Sequence, residues 1–300
     1  MSENKLELIK GSLSPESVET ENQISSGGTP SFVGEAILND NDINSIESHL
    51  KPETTVLVGF PNFGKTSLVA SLYYIAISTG KVGNWNCYDS DTFVGFERRL
   101  FLRRYDTNNV SSGTLRTIRG EAHILTLKLI RDEVRKTMLF SDHSGEDYTE
   151  YANNPSKIAH DALLHHCDRI IILIDSSILV SKRNLSMKNQ YENLLQGMKN
   201  AGIFNIDKEL LVIFNKYDLV ANNETELFAQ RESEFIDLVN KICEFNVSKT
   251  FKIQANNVDD TALKECINYV SESVKSTSEQ SKAMLNKLNW VNQILNRESL

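Results

Sequence analysis

One stretch decides the fold of this chain: TTVLVGFPNFGKTS, residues 54–67. β-Branched and apolar residues lead into Gly59, and from there the sequence fits G-x-x-x-x-G-K-[ST]. The run after Ser67 has helical composition. A strand, a glycine-containing turn and a helix in this order predict a P-loop, whose backbone N–H groups surround a phosphate chain. Its predicted binding residues are Gly59, Asn62, Phe63, Gly64, Lys65, Thr66 and Ser67.

The P-loop residues have separate chemical roles. Gly59 and Gly64 let the backbone curl tightly enough to approach a phosphate. Lys65 places a positive charge over the outer phosphates, and Thr66 offers a hydroxyl to Mg²⁺. The helix behind them adds the positive end of its dipole. A nucleotide with Mg²⁺ is therefore the expected ligand.

Composition limits the other classes of function. The 300 residues carry a net charge of -8 and a pI near 5.4, which argues against general binding to nucleic acids or anionic membranes. The four cysteines form no C-x-x-C pair, so we expect free thiols. We find no signal-peptide pattern and no apolar run long enough to span a membrane. A soluble cytoplasmic protein is expected.

Strand-like and helical segments alternate along the chain. The continuously apolar runs 169–175 and 209–215 are typical of central strands buried on both faces. Residues 122–129 alternate apolar and polar side chains and precede 137–142 closely enough to form a hairpin. Helical patterns occupy 155–167, 185–201 and 224–245. We predict an α/β fold: a mostly parallel, doubly wound sheet with one antiparallel edge strand and helices on both faces.

The predicted domain occupies residues 35–274. Residues 1–34 are rich in Ser, Glu, Asn, Thr and Gly and predict a flexible tail. Residues 275–300 predict an amphipathic C-terminal helix, which either packs on its own domain or binds a partner. A connection at 84–120 is unusually long for a compact domain and therefore predicts a functional loop.

Two further motifs follow predicted strands. Residues 142–145 read D-x-x-G, in which Asp142 would hold Mg²⁺ and the Gly145 backbone would meet a γ-phosphate. Residues 215–218 read N-K-x-D. The Asp218 carboxylate can accept hydrogen bonds from the two donors on the edge of guanine, a pair that adenine does not present. Asn215 would support the base, and the stem of Lys216 would lie along it.

A weaker strand-like run occupies 250–254, and the segment Gln254-Ala255-Asn256 at its end stands where a backbone N–H could read the guanine O6. Together, GFPNFGKTS, DHSG, NKYD and QAN in this order resemble the GTPase superfamily of P-loop proteins over residues 54–274. The phrases SDTFVGFERR (90–99) and LFSDHSGEDY (139–148) resemble the bacterial double-GTPase group, which is associated with conflict, or antiphage, gene systems. The resemblance implies a GTP-dependent switch that works beside other components.

The sequence departs from the small-GTPase pattern at two places. Glu146 stands where many small GTPases carry a glutamine that orients the attacking water. The threonine that completes the metal site in the first switch has two candidates, Thr92 and Thr117. The connection 84–120 is also rich in arginine, and Arg98 is the candidate for an arginine that stabilises charge on the γ-phosphate; a solvated or acid-paired face is the alternative.

The predicted function is a GTP-binding switch that hydrolyses GTP slowly, with Lys65, Gly145, Glu146 and Arg98 as its catalytic groups. Switch regions at 84–120 and 142–154 would be ordered by Mg²⁺ and the γ-phosphate and would signal to a protein partner. One alternative is a GTP-dependent assembly module without hydrolysis, which Glu146 and the C-terminal helix favour. A second alternative is a P-loop ATPase, in which NKYD would be accidental.

Overall fold

The computed structural model of the protein describes residues 52–105, 123–205 and 207–274. These residues form one mixed sheet with the strand order β2-β3-β4-β5-β1-β6-β7-β8. The strands are β1 (Glu53–Val58), β2 (Lys81–Val82), β3 (Trp85–Asp89), β4 (His123–Arg131), β5 (Val134–Asp142), β6 (Arg169–Asp175), β7 (Glu209–Asn215) and β8 (Lys249–Ile253). The predicted tail at 1–34, Thr117 and the predicted helix at 275–300 lie outside the described residues.

The centre of the sheet is parallel. β1 pairs with β5 and β6, and β7 pairs with β6 and β8, all in the parallel sense. Every residue of β6 is buried, as are six of the seven residues of β7. Helices cover both faces, which is why these strands read as continuous apolar runs. The predicted α/β fold with a mostly parallel sheet is confirmed.

The antiparallel edge is wider than the sequence indicated. β4 and β5 form a hairpin in register from His123↔Asp142 to Arg131↔Val134, as predicted. β3 then pairs with β4, and β2 with β3, also in the antiparallel sense. β3 is hard to recognise from sequence because Trp85 is its one fully buried residue, so the strand lacks an alternating pattern.

The region 84–105 is therefore not a long loop, and this part of the prediction was wrong. It contains β3 and the helix α2 (Phe93–Tyr105). Phe96, Arg99 and Leu100 are buried, at the i, i+3, i+4 spacing of one helix face. A buried arginine interrupts the apolar stripe by which such a helix is usually recognised. Residues 106–120 of the predicted loop lie outside the described part of the chain.

Two apolar layers enclose the sheet. One face carries α1 (Lys65–Thr79), α2 and α8 (Thr261–Ser271). The other face carries α3 (Gly145–Asn153), α4 (Ala162–His166), α5 (Ser176–Val180), α6 (Asn184–Asn200) and α7 (Thr225–Cys243). The helical pattern predicted over 155–167 is divided into a 3₁₀ helix (Pro155–His160) and α4, because Asp161 caps α4 through the backbone N–H of Leu164.

None of the helices in the described ranges combines the length and the apolar character needed to cross a bilayer. The carboxyl ends of β1, β5, β6 and β7 point to the same edge of the sheet because these strands are parallel. Ligands of open α/β sheets bind at that edge. The P-loop, Asp142, Asp175 and Asn215 all follow or end these strands there.

Candidate functional site

The P-loop joins the end of β1 to the start of α1. Asn62 and Gly64 have positive φ angles of 65° and 94°, and Gly64 directly precedes the first helical residue. A Cβ on Gly64 would lie 2.1 Å from the side-chain nitrogen of Asn215. Glycine is therefore required at this position for its backbone conformation and for space.

Lys65 is buried under the loop that it follows. Its Nζ donates hydrogen bonds to the carbonyl oxygens of Gly59 (2.6 Å) and Phe60 (3.3 Å). Burial lowers the pKa of Lys65 to about 8, although the carboxylates of Asp142 and Asp147 oppose this effect. An anion placed beside this buried ammonium group would stabilise its charged form.

Thr66 and Asp142 form the site that suits a metal ion. The Thr66 hydroxyl donates a hydrogen bond to Asp142 Oδ1 at 2.9 Å, and Asp142 is fully buried at the end of β5. A hydroxyl and a carboxylate oxygen this close are hard oxygen ligands of the kind that Mg²⁺ prefers. The donor set fits the predicted cation, and the coordination itself stays a prediction.

Arg99, one of the arginines of the predicted basic connection, also reaches Asp142, whereas the prediction singled out Arg98. The Arg99 Nε donates to Asp142 Oδ2 at 2.7 Å, and a terminal nitrogen donates to the Gly95 carbonyl at 2.8 Å. Arg98, the predicted arginine, is exposed, and a catalytic role for it stays a prediction. The helical spacing from Phe96 to Arg99 was the signal that could have distinguished the two arginines.

Thr92 is completely buried at the start of α2. Its hydroxyl accepts a hydrogen bond from the backbone N–H of Thr126 in β4 at 2.8 Å. Ser90 donates to the carbonyl of the same Thr126, and the Asp91 N–H donates to its hydroxyl. The three residues that begin the phrase SDTFVGFERR therefore dock α2 on the edge of β4. For Thr92 to bind the metal, this docking would have to be rearranged.

The D-x-x-G segment lies against the P-loop. A Cβ on Gly145 would be 2.3 Å from the Pro61 nitrogen and 2.7 Å from the Phe60 carbonyl carbon, so only glycine fits. Ser144 caps α3, accepting from the Glu146 N–H at 3.3 Å and donating to the Glu146 carboxylate. The half-buried Glu146 side chain is therefore held at the N-terminus of α3, one residue from Gly145.

A buried polar network links the D-x-x-G segment to the residues beneath it. His143 contacts the Ser141 hydroxyl with one ring nitrogen, and its other ring nitrogen lies 3.3 Å from Asp161 Oδ2. Tyr151 donates to the same oxygen at 3.1 Å. Burial alone would raise the pKa of Asp161, but the hydrogen bonds and the charge of its neighbours, His143 first, lower it. Asp161 thereby links the D-x-x-G segment to α4.

Asn215 connects three parts of the site. Its amide nitrogen donates to the Phe63 carbonyl at 2.9 Å, and its amide oxygen accepts from the Ala255 N–H at 2.9 Å. The hydroxyl of Ser71 in α1 donates to the Ala255 carbonyl. The N-K-x-D segment, the P-loop and the loop after β8 are thus fixed to one another by a side chain that is 3% exposed.

The residues expected to contact a base lie around Asn215. Lys216 has a φ of 58°, and its Nζ contacts Asp175 Oδ2 at 2.6 Å. Asp218 is exposed in the 3₁₀ helix Tyr217–Leu219, and Asn256 is exposed after β8. The Ala255 N–H donates to Asn215, and which backbone N–H of Gln254-Ala255-Asn256 would read the guanine O6 stays a prediction.

Aromatic side chains hold the P-loop on the opposite layer, which the sequence did not indicate. Phe60 and Phe63 are buried, and their ring centroids lie 4.7 Å and 6.3 Å from that of Tyr191 in α6. Tyr191 packs in turn on Phe235 of α7 at 5.3 Å and donates a hydrogen bond to the Leu173 carbonyl in β6. The loop is therefore positioned by α6 and α7 as well as by β1 and α1.

Comparison with known proteins gives one family. The family model described as Double-GTPase 2 matches residues 55–270, well over half of the 300 residues. No curated protein sequence matches the chain.

Solved structures show a distant likeness. A bacterial selenocysteine-specific elongation factor, EF-Sec, is 15% identical with a TM-score of 0.40, over 74% of this chain and 28% of that chain. A mutation variant of SsGBP is 14% identical with a TM-score of 0.37, over 73% of this chain and 55% of that chain. Roco2 RocCORdC of Methanosarcina barkeri, bound to GDP, is 15% identical with a TM-score of 0.36, over 86% and 66%. The chain thus spans between a quarter and two-thirds of the lengths of these structures.

Proposed function

This chain belongs to the Double-GTPase 2 family, and from that premise we propose that it is a GTP-binding switch that hydrolyses GTP slowly and signals to a protein partner. The observation that carries the proposal is the position of Asn215. Its two hydrogen bonds join the phosphate-binding loop to the base-reading segments, so one rigid unit can hold both ends of a nucleotide. In this proposal the exposed Asp218 carboxylate accepts hydrogen bonds from guanine, and the Asn256 amide faces its O6.

The phosphate end of the site is built from the P-loop. The Lys65 ammonium neutralises the outer phosphates, and backbone amides between Asn62 and Ser67 bind their oxygens. Thr66 and Asp142 would hold Mg²⁺, which supplies positive charge to the phosphates when bound. The Gly145 backbone lies directly beside Pro61 of the P-loop, and in this proposal it contacts the γ-phosphate that the loop binds.

Slow hydrolysis is proposed from Glu146. Its carboxylate is held by the Ser144 hydroxyl at the start of α3, where it can orient a water or accept its proton. A carboxylate next to anionic phosphates is less favourable than the neutral amide of a glutamine, so a low intrinsic rate is expected. Arg98 remains the proposed source of additional positive charge from the first switch.

The alternative of an assembly module without hydrolysis rests on the same contact between Ser144 and Glu146. If Ser144 keeps Glu146 away from the attacking water, the protein would bind GTP without turnover. Phosphate release at the background rate, from protein that keeps its GTP and still forms its complex, would support this alternative. The ATPase alternative would leave the Asp218 carboxylate without a partner on the base.

The test is binding and turnover with GTP, GDP and ATP. Calorimetry should show that the wild type binds GTP and GDP and binds ATP much more weakly. Lys65→Ala should abolish nucleotide binding. Asp218→Asn should reduce the preference for guanine over adenine. Equal affinity for ATP would contradict the guanine assignment. A defence role and a cytoplasmic location are proposed from the family resemblance and the sequence alone. Loss of phage protection in a Lys65→Ala strain would support the defence role.

A further inference from the structure

Arg99 and Thr66 share one carboxylate. The guanidinium of Arg99 lies 2.7 Å from Asp142 Oδ2, while the Thr66 hydroxyl lies 2.9 Å from Oδ1. The side chains of Arg99 and Asp142 are 10% and 0% exposed, so solvent screens this ion pair weakly. The residue best suited to hold a divalent cation is therefore already neutralised by an arginine.

Helix α2 presents Arg99 in a defined position. Tyr73 of α1 stacks on Phe96 with ring centroids 4.5 Å apart and donates a hydrogen bond to Glu97. Thr92 fixes the start of the helix to β4, and the Gly95 carbonyl holds the Arg99 side chain within α2. Arg99 can leave Asp142 only if its side chain breaks both contacts or α2 shifts.

A divalent cation at Asp142 would meet this arginine. The ammonium of Lys65 already lies close enough to Asp142 for their charges to interact. A metal ion would add two further positive charges beside a buried carboxylate, where electrostatic repulsion is stronger than in water.

We propose that Arg99 and the divalent cation compete for Asp142, and that Arg99 is a positioning residue that couples metal binding to helix α2. The inference rests on the proposed function, because the cation is the one that accompanies the nucleotide. The proposal gives the phrase SDTFVGFERR a physical role. Its first three residues dock α2 on β4, and its last residue, Arg99, responds to metal binding at Asp142.

The test measures the Mg²⁺ dependence of nucleotide binding in the full-length protein. A fluorescent GDP analogue is titrated with Mg²⁺ in the wild type, Arg99→Gln, Arg99→Lys and the control Arg135→Gln. Arg99→Gln should reach half-saturation at roughly tenfold lower Mg²⁺. Arg99→Lys keeps the charge and should stay close to the wild type. Arg135→Gln should do so too, because it changes an exposed arginine at the opposite end of β5 from Asp142.

A second measurement avoids the question of whether Arg99→Gln folds. Amide hydrogen exchange of residues 93–105 is compared in wild-type protein with GDP, with and without Mg²⁺, and exchange should be faster with Mg²⁺. An unchanged or higher Mg²⁺ requirement in a folded Arg99→Gln, or unchanged exchange in α2, would overturn the inference. Wild-type protein that binds no GDP at any Mg²⁺ concentration would instead overturn the proposed function.

Discussion

The side-chain amide of Asn215 lies 2.9 Å from the carbonyl oxygen of Phe63, although the two residues are 152 positions apart in the chain. The same side chain accepts a hydrogen bond from the Ala255 N–H. Asn215 therefore sets the distance between the P-loop and the segments expected to contact the base.

Asn215→Ala should weaken both folding and nucleotide binding. The substitution leaves the buried Phe63 carbonyl and Ala255 N–H without this partner, at a cost of about 1–3 kcal/mol each. Urea unfolding should show the loss of stability, and GDP titration should show weaker binding. The exposed Asn257, two residues beyond Ala255, provides the control: Asn257→Ala should leave GDP affinity unchanged. Unaltered GDP affinity in a folded Asn215→Ala would contradict the role given to this side chain.

Two glycines at the ends of α1 separate steric effects from backbone strain. Gly64 and Gly80 both have positive φ, but a Cβ would meet Asn215 at Gly64 and open space at Gly80. Gly80→Ala should cost about 1 kcal/mol of stability through strain alone. Gly64→Ala should cost more and weaken GDP binding by at least about tenfold, which is equivalent to about 1.4 kcal/mol. Equal behaviour of the two variants in thermal melts and GDP titrations would refute the steric argument.

Lys65 should make stability depend on pH. Burial lowers its pKa from 10.5 to about 8 in the folded protein, so the unfolded chain binds the proton more tightly. Burial of the charged ammonium lowers the free energy of unfolding, and this loss is fully present below about pH 8. The loss disappears as the pH rises towards 10.5, which increases stability by up to about 3 kcal/mol. Urea unfolding of the wild type and Lys65→Met across this range should show a difference that changes with pH. A constant difference between them would contradict the lowered pKa.

Nucleotide affinity should show the opposite trend with pH. Anionic phosphates favour the charged ammonium of Lys65, which becomes depopulated in the free protein above about pH 8. GDP titrations should therefore show weaker binding as the pH rises past 8, even while the free protein becomes more stable. A GDP affinity that does not change with pH in this range would contradict a contact between the Lys65 ammonium and the phosphates.

Tyr191 should affect the P-loop from the opposite layer of the protein. Tyr191→Ala removes the ring that contacts Phe60, Phe63 and Phe235 and should cost about 3–5 kcal/mol of stability. It should also weaken GDP binding, because the loop loses its lateral support. Tyr191→Phe keeps the ring and loses the bond to the Leu173 carbonyl, at about 1 kcal/mol, with little change in GDP affinity. Similar GDP affinities for the Ala and Phe variants would show that the ring does not position the loop.

Local patterns account for the features that sequence reasoning predicted. The apolar runs of β6 and β7 identify strands buried on both faces, since burial on both sides removes alternation. The P-loop, D-x-x-G and N-K-x-D motifs are short, so their spacing along the chain identifies them without knowledge of the fold. Parallel strands then bring their ends to one edge of the sheet.

The sequence by itself thus determined the α/β sheet, its nucleotide-binding edge and the residue types expected there. Tertiary structure alone decided that Arg99, and not Arg98, faces Asp142, because the burial of one face of α2 against α1 and β4 selects between neighbouring arginines. It also decided that the Asn215 side chain accepts the hydrogen bond of the Ala255 N–H and that Tyr191 supports the P-loop. These contacts join residues far apart in the chain, and their distances depend on how helices pack on the sheet, which no local pattern encodes.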